Sequence, residues 1–194
     1  IPTDTPDEEN PNGQGLHYAR YRTIEFLTDE YSDKFPNATR IALNLAGIYR
    51  VHMVKRLESS FYAFKLSLET LRKITAEMIQ MFGKGKILIA PELKIKELQE
   101  KMEIDQIIEY AISKKSYKKE DFVFPPSAFK DTDGDVFLKM LKEDLSKLND
   151  LQTRWNQITD DPKLDKFIDE IHSTLLDKSI NPSGKLVIFS ESVD

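Results

Sequence analysis

The sequence predicts a mainly α-helical protein organised on a long antiparallel helix pair, and three observations carry that expectation. Phe61, Phe64, Leu68, Leu71, Thr75, Met78 and Phe82 recur at alternating spacings of three and four, the repeat of a helix that buries one narrow seam. Phe137, Leu141, Leu145, Leu148, Leu151, Trp155 and Ile158 form a second seam of similar spacing and length. Composition agrees: of 194 residues, 31% are charged and 7 are glycine, a mix that favours long surface-exposed helices over a sheet sandwich. Neither seam can be buried alone. The simplest arrangement packs helix 59–82 against helix 134–158, antiparallel, with residues 84–130 folded near one end. Leu57 belongs to the same apolar set upstream, and Trp155 is expected to anchor one end of the pair to helix 38–57.

The remaining elements follow in chain order. Residues 1–15 place Pro2, Pro6, Pro11, Gly13 and Gly15 around Asp7-Glu8-Glu9 and read as an extended arm. Residues 16–34 read as a helix, with Leu16, Ala19, Thr23, Phe26, Leu27 and Tyr31 mostly three and four apart, ended by Pro36. Asn37 is the expected N-cap of helix 38–57, whose stripe is Ile41, Leu45, Ile48, Val51 or His52, Val54 and Leu57. Ser59 and Ser60 either cap a break before the next helix or lie inside one continuous helix.

Beyond helix 59–82, Gly83 and Gly85 supply a C-cap and turn. Ile87-Leu88-Ile89-Ala90 and Phe122-Val123-Phe124 are short apolar runs, each stopped by proline, and are candidates to pair as a small ribbon. Residues 93–102 and 104–113 read as two short helices. Asp161 caps, and Pro162 begins, a helix over 162–178 presenting Leu164, Phe167, Ile168, Ile171, Leu175 and Leu176. After the Pro182-Ser183-Gly184 turn, residues 185–190 read as a buried-type strand. Such a strand needs neighbours on both edges. The expectation is therefore a piece of a longer protein: an arm over 1–15, a helical domain over 16–182, and the start of a further unit over 183–194.

Net charge is −5, unevenly spread. Residues 36–86 carry Arg40, Arg50, Lys55, Arg56, Lys65, Arg72, Lys73, Lys84 and Lys86 against Glu58, Glu69 and Glu77, while acidic residues prevail on both sides. A basic stripe of this kind suits nucleic acid phosphates, an acidic neighbour, or simply solvent. The absence of cysteine excludes a disulfide framework and a thiolate metal site. No apolar run approaches the roughly 20 residues of a membrane span, and no signal peptide is visible. A cytoplasmic protein without a membrane partner is expected.

No complete active site is legible. Gly83-Lys84-Gly85-Lys86 lacks the spacing of a phosphate loop and follows a helix rather than a strand, so a helix-ending turn is expected. Asp131-Thr132-Asp133-Gly134-Asp135 superficially resembles a calcium loop, but Lys142 stands at the twelfth position, where a bidentate Glu is required. A carboxylate-rich helix start explains it better. His17, His52 and His172 are isolated from one another, which disfavours metal or general-base roles.

Three further segments, taken in order, resemble bacterial Swi/Snf-type members of the superfamily two helicase-like ATPases. Val54-Lys55-Arg56-Leu57-Glu58-Ser59-Ser60-Phe61-Tyr62-Ala63-Phe64 is similar to a signature lying between that family's two RecA-like lobes. Asp161-Pro162-Lys163-Leu164-Asp165-Lys166-Phe167 is similar to a segment preceding the second lobe. Gly184-Lys185-Leu186-Val187-Ile188-Phe189-Ser190-Glu191-Ser192 is similar to that lobe's first strand. Tyr18-Ala19-Arg20-Tyr21 fits more loosely.

The resemblance implies a parent protein that uses ATP and magnesium to move along duplex DNA, with this chain between two motor lobes of the same parent. It also implies that the phosphate loop and magnesium carboxylates precede Ile1 and that the arginine finger follows Asp194. Phosphoryl transfer needs all of these together, so the chain itself is expected to hold no cofactor and to catalyse nothing. The implied DNA-contact candidates are Lys55 and Arg56 at the joint, and Glu191 and Ser192 at the carboxyl end of the strand, where ligand-facing residues gather in open α/β sheets. The alternative is a stand-alone helical adaptor that binds a protein partner through its basic face. The terminal strand separates the two readings, because an adaptor has no use for an unpaired apolar strand.

Overall fold

The computed structural model describes residues 15–35, 38–89, 104–113 and 118–188. In chain order these form α1 (Asp29–Ser32), α2 (Ala38–Ser59), α3 (Phe61–Gly83), β1 (Ile87–Leu88), α4 (Ile104–Ser113), α5 (Lys119–Phe122), β2 (Val123–Phe124), α6 (Asp131–Asn156) and α7 (Pro162–Glu170). The fold is mainly helical, with one small two-stranded sheet. The expected helix over 93–102, the cap Asn37 and the contact candidates Glu191 and Ser192 lie outside the described residues.

Helices α3 and α6 form the antiparallel spine. Near the start of α3, Phe64 packs on Trp155 at 4.7 Å; near its end, Phe82 meets Phe137 at 5.7 Å. Phe64, Leu68, Leu71, Thr75, Met78 and Phe82 are buried on α3, and Phe137, Leu141 and Leu148 on α6, with Leu151 and Trp155 half-buried. The 23 residues of α3 make a rod roughly 34 Å long, and two cores are strung along it. At one end Phe82, Phe129 and Phe137 close over Ile87, Leu88, Phe124, Ile107 and Leu27. At the other end Phe64, Leu68, Leu71 and Leu148 pack with Met53, Leu16 and Tyr18.

The expected ribbon forms. Ile87 pairs with Phe124 and Leu88 with Val123, antiparallel, and Ile89 N–H donates to Phe122 C=O at 2.9 Å. The turn feeding it is a helix C-cap. Lys84, Gly85 and Lys86 amides donate to the carbonyls of Gln80, Phe82 and Met81, and Gly85 takes φ +66°, the left-handed conformation such caps use. Those three amides are thereby occupied, so the Gly83–Lys86 segment is a helix terminus and not a phosphate cradle.

Several expectations are corrected. Residues 16–34 do not form one helix. Short 3₁₀ turns at Ala19–Tyr21 and Thr23–Phe26 precede the single turn of α1. The reason is competition for the backbone. His17 and Ala19 amides donate to the two carboxylate oxygens of Asp144 at 2.7 and 2.9 Å, Lys130 N–H to Phe26 C=O at 2.7 Å and Thr28 N–H to Ala128 C=O at 2.9 Å. The segment is a strap tied across α6, not a helix satisfied within itself. On α6, the seam position assigned to Leu145 belongs to Asp144, 3% exposed and buried between the two cores.

Helix α2 turns the opposite face inward. Met53 is fully buried, and Ala46, Tyr49 and Leu57 pack around it, while Leu45, Ile48, Val51 and Val54 face outward. Apolar residues lie on both sides of this helix, so periodicity did not choose between them; the stacking of Tyr49 on Tyr21, centroids 4.4 Å apart, marks the face that did. Trp155 packs on Phe61 and Phe64 in the first turn of α3 and against the core cluster that holds Met53 of α2. Helix α7 ends at Glu170 and passes into a π turn over Ile171–Leu175; Leu164, Phe167 and Ile168 are exposed. Residues 185–188 make no strand, and Val187 is 72% exposed: among the described residues there is no neighbouring strand to bury it.

Two measurements test this packing. Gly134 takes φ +82°, and a Cβ there falls 2.9 Å from Phe82 Cε1 and 3.0 Å from Phe129 Cβ. Gly134→Ala is expected to lose about 2 kcal/mol in urea unfolding from backbone strain and crowding. Asp144→Leu lengthens the apolar seam yet orphans two buried amides, and is expected to lose about 3 kcal/mol; a gain in stability would refute the strap's dependence on that carboxylate.

Candidate functional site at the helix joint

The residues between α2 and α3 build the site from local rules. Ser60 takes an extended conformation (φ −162°, ψ 141°), and its Oγ accepts from the amides of Tyr62 and Ala63 at 3.1 and 3.4 Å. That is serine's ordinary N-cap role, so the chain breaks here and α3 starts at Phe61. The Phe61 amide, one of the unsatisfied donors at a helix start, donates to Asp161 Oδ2 at 2.9 Å. Asp161 Oδ1 accepts from the amides of Lys163 and Leu164 at 3.2 and 3.3 Å, capping α7. One carboxylate thus caps two helices whose starts are about a hundred residues apart in sequence.

Around this double cap, further contacts lock the joint. Lys163 Nζ donates to Glu58 C=O at 2.9 Å, and Lys65 Nζ donates to Ile158 C=O. Trp155 meets Phe61 edge-on, 5.1 Å between centroids and 85° between planes. A groove of about 400 Å³ opens beside them, lined by Tyr62, Lys65, Ile158, Leu164 and Phe167 among others. The bond from the Phe61 amide is the chief influence holding the Asp161 carboxyl below its ordinary value of 3.8.

Lys55 and Arg56 diverge, as neighbours on a helix do. Lys55 is exposed. Arg56 is half-buried, and its Nε donates to Ser67 Oγ on α3 at 3.1 Å. It lines a second groove, about 600 Å³, together with Tyr21, Tyr49, His52 and Lys73. Burial is the main influence pushing the Tyr21 and Tyr49 phenols up from 10.0, so this stacked pair stays neutral at physiological pH. His17 Nε2 pairs with Glu143 Oε2 at 2.8 Å, His52 is exposed, and the described residues contain no group of three or more His, Asp or Glu able to hold a metal. No described helix is long and apolar enough to cross a membrane.

Sequence reasoning named Asp161 as the cap of α7 but missed its bond to Phe61, because no local pattern encodes a partner that remote. It also missed Asp144. The signal there was present: an Asp at 144 continues the spacing Leu141, Leu148 better than Leu145 does, but an acidic residue is not expected inside a seam. Comparisons with family models, with curated proteins and with solved structures return no match to this chain.

The joint carries its own test. With a depressed carboxyl, Asp161 contributes stability that is present above pH 3.8 and lost as pH falls through its lowered folded value. Asp161→Ala is expected to speed amide exchange at Phe61, Lys163 and Leu164 together, and to abolish the part of the joint's acid sensitivity that this carboxyl supplies. Faster exchange in α7 alone would show that the link to α3 is not made.

Proposed function

We propose that this chain is the helical element between the two motor lobes of an ATP-driven DNA translocase of the Swi/Snf type, serving as a stiff joint and a DNA-facing surface, with ATP and magnesium bound by the lobes of its parent. One observation chiefly supports this reading. The segments Val54–Phe64 and Asp161–Phe167, which carry the family resemblance and are far apart in the chain, meet at a single carboxylate through Phe61 and Asp161. A joint between moving lobes needs such a cross-tie, because the exit from the first lobe and the approach to the second must hold a constant relation.

In this reading α3 and α6 act as the strut, Lys55 offers its ammonium to a DNA phosphate, and Arg56 sets the α2–α3 crossing through Ser67 while remaining at a groove a backbone phosphate can enter. The chain itself transfers no phosphoryl group, and its setting is the cytoplasm. The second reading, a helical adaptor for a protein partner, is favoured by the outward apolar residues of α2.

Duplex binding across a salt series separates the two. Under the motor reading, anisotropy measurements on the purified chain show binding that weakens steeply with salt, and Lys55→Ala lowers the slope of log K against log[salt] by about one. Arg56→Ala weakens binding as well, with a loss of thermal stability that Lys55→Ala lacks. No binding even at low salt removes the DNA role from this chain, and a parent sequence without an upstream phosphate loop sinks the motor reading.

A further inference from the structure

Helix α2 presents an unusual outer face. Ile48 is 65% and Val51 56% exposed, with Leu45 and Val54 beside them. At helical spacing, residues 44, 47, 48, 51, 54 and 55 share this side, so the apolar residues form a continuous stripe and not scattered exceptions. Scattered exposed apolar residues need no explanation, whereas a contiguous stripe marks an interaction site. From Ala38 to Leu57 the helix contains Arg40, Arg50, Lys55 and Arg56 and no acidic residue at all; Arg40 and Lys55 are exposed near the two ends of the stripe.

Gly47 is the second observation. It lies on the same face, next to Val51 and Val54 along the helix surface. Its φ is not in the left-handed region and an added Cβ meets nothing within 4 Å, so neither backbone conformation nor crowding within the chain requires glycine there. Glycine inside a helix is nonetheless destabilising relative to alanine. A missing side chain on an outward face gives a shallow notch in which the backbone or a bulky side chain of a second helix can seat closely.

We infer that the outer face of α2 is a docking groove for an amphipathic helix of a protein partner, leucine-like along its inner stripe and acidic along its flanks. Phosphates of a nucleic acid pair with Arg40 and Lys55 but leave Ile48 and Val51 in water. A lipid surface covers the apolar residues but makes no use of the notch at Gly47. An acidic helix uses all three features, in the manner of helix-in-groove recognition with anchors three and four residues apart. The inference does not rest on the motor reading and survives its failure, and it makes the acidic helix and a DNA phosphate alternative occupants at Lys55.

The test uses the whole chain and a designed fluorescent peptide: an amphipathic helix with a leucine stripe flanked by glutamates, beside a twin flanked by lysines. The glutamate peptide is expected to bind saturably and more weakly as salt rises; the lysine twin is not. Ile48→Asp combined with Val51→Asp changes only exposed positions and is expected to weaken binding more than tenfold, with Lys55→Glu weakening it several-fold. Gly47→Leu is the decisive variant: it is expected to raise thermal stability yet lower affinity by filling the notch. Equal binding of both peptides, no binding of either, or unchanged affinity in Gly47→Leu overturns the proposal. So does cosedimentation of the chain with phosphatidylcholine–phosphatidylserine vesicles that Ile48→Asp abolishes, which assigns the face to a membrane. Concentration-dependent dimerisation abolished by the same substitution overturns it in favour of a second copy of the chain.

Discussion

The interaction on which the rest of the structure depends is the antiparallel packing of α3 on α6. Each helix carries a stripe that is costly to leave in water, and neither can cover its own. Their pairing is long enough to hold two cores, one closed by phenylalanines at the ribbon end and one built on Leu68, Leu71 and Leu148 beneath α2. Among the described residues, α2, the ribbon and the strap at Leu16–Leu27 dock on this rod. The position where the two cores meet is occupied by a carboxylate, and that imposes a second constraint: a buried Asp144 must find donors, and the buried seam hydroxyl of Thr75 is already given to Leu71 C=O. The strap at Leu16–Leu27 supplies them from its backbone. Burial raises the Asp144 carboxyl above its ordinary value of 3.8, with the two strap amides and His17 opposing the shift. Its contribution to stability is therefore fullest below the ordinary value and declines as pH rises through the raised one, opposite in sign to that of Asp161.

The joint follows the same logic at the surface. A helix start exposes amides that want an acceptor, and α3 and α7 both begin within reach of Asp161. The serine cap of α3 leaves the Phe61 amide over, and the aspartate cap of α7 has an oxygen to spare, so one side chain completes both termini. This couples the orientation of α7 to the break between α2 and α3 without a large buried interface. It also explains why α7 can keep Leu164, Phe167 and Ile168 exposed and still hold its place: it is positioned by hydrogen bonds at its first turn, not by its apolar face.

Legibility differed element by element, for identifiable reasons. The seams of α3 and α6, the Gly85 turn, the two apolar runs of the ribbon and the cap at Asp161 were readable because each is a short-range pattern with a short-range cause, while the choice between a cap at Ser60 and one continuous helix stayed open until the structure showed the cap. Residues 16–34 misled because their apolar spacing is helical while the amides of His17, Ala19 and Thr28 and the carbonyl of Phe26 are claimed by Asp144, Ala128 and Lys130. Helix α2 was correctly read as a helix, but Leu45, Ile48, Val51 and Val54 of its expected stripe face outward while Leu57 packs on the core, since apolar residues on both faces leave the choice to what packs against Tyr49 and Met53. Of the candidate contact pair, Lys55 and Arg56 looked equivalent in sequence; a turn of 100° sends one outward and the other to Ser67.

The sequence by itself determined where α2, α3 and α6 run to within a few residues and which two helices must pair, because hydrophobic period, capping chemistry and glycine conformations act over a few residues and do not consult the rest of the fold. Only the tertiary structure decided which face of α2 is buried, why residues 16–27 abandon a helix they could form, and that Asp161 serves Phe61. Each of those depends on a partner brought within 3 Å from about a hundred residues away or more, or on a choice between two apolar faces of nearly equal merit. Free-energy differences of that kind arise from packing and backbone satisfaction in the assembled molecule, and no window of local sequence contains them.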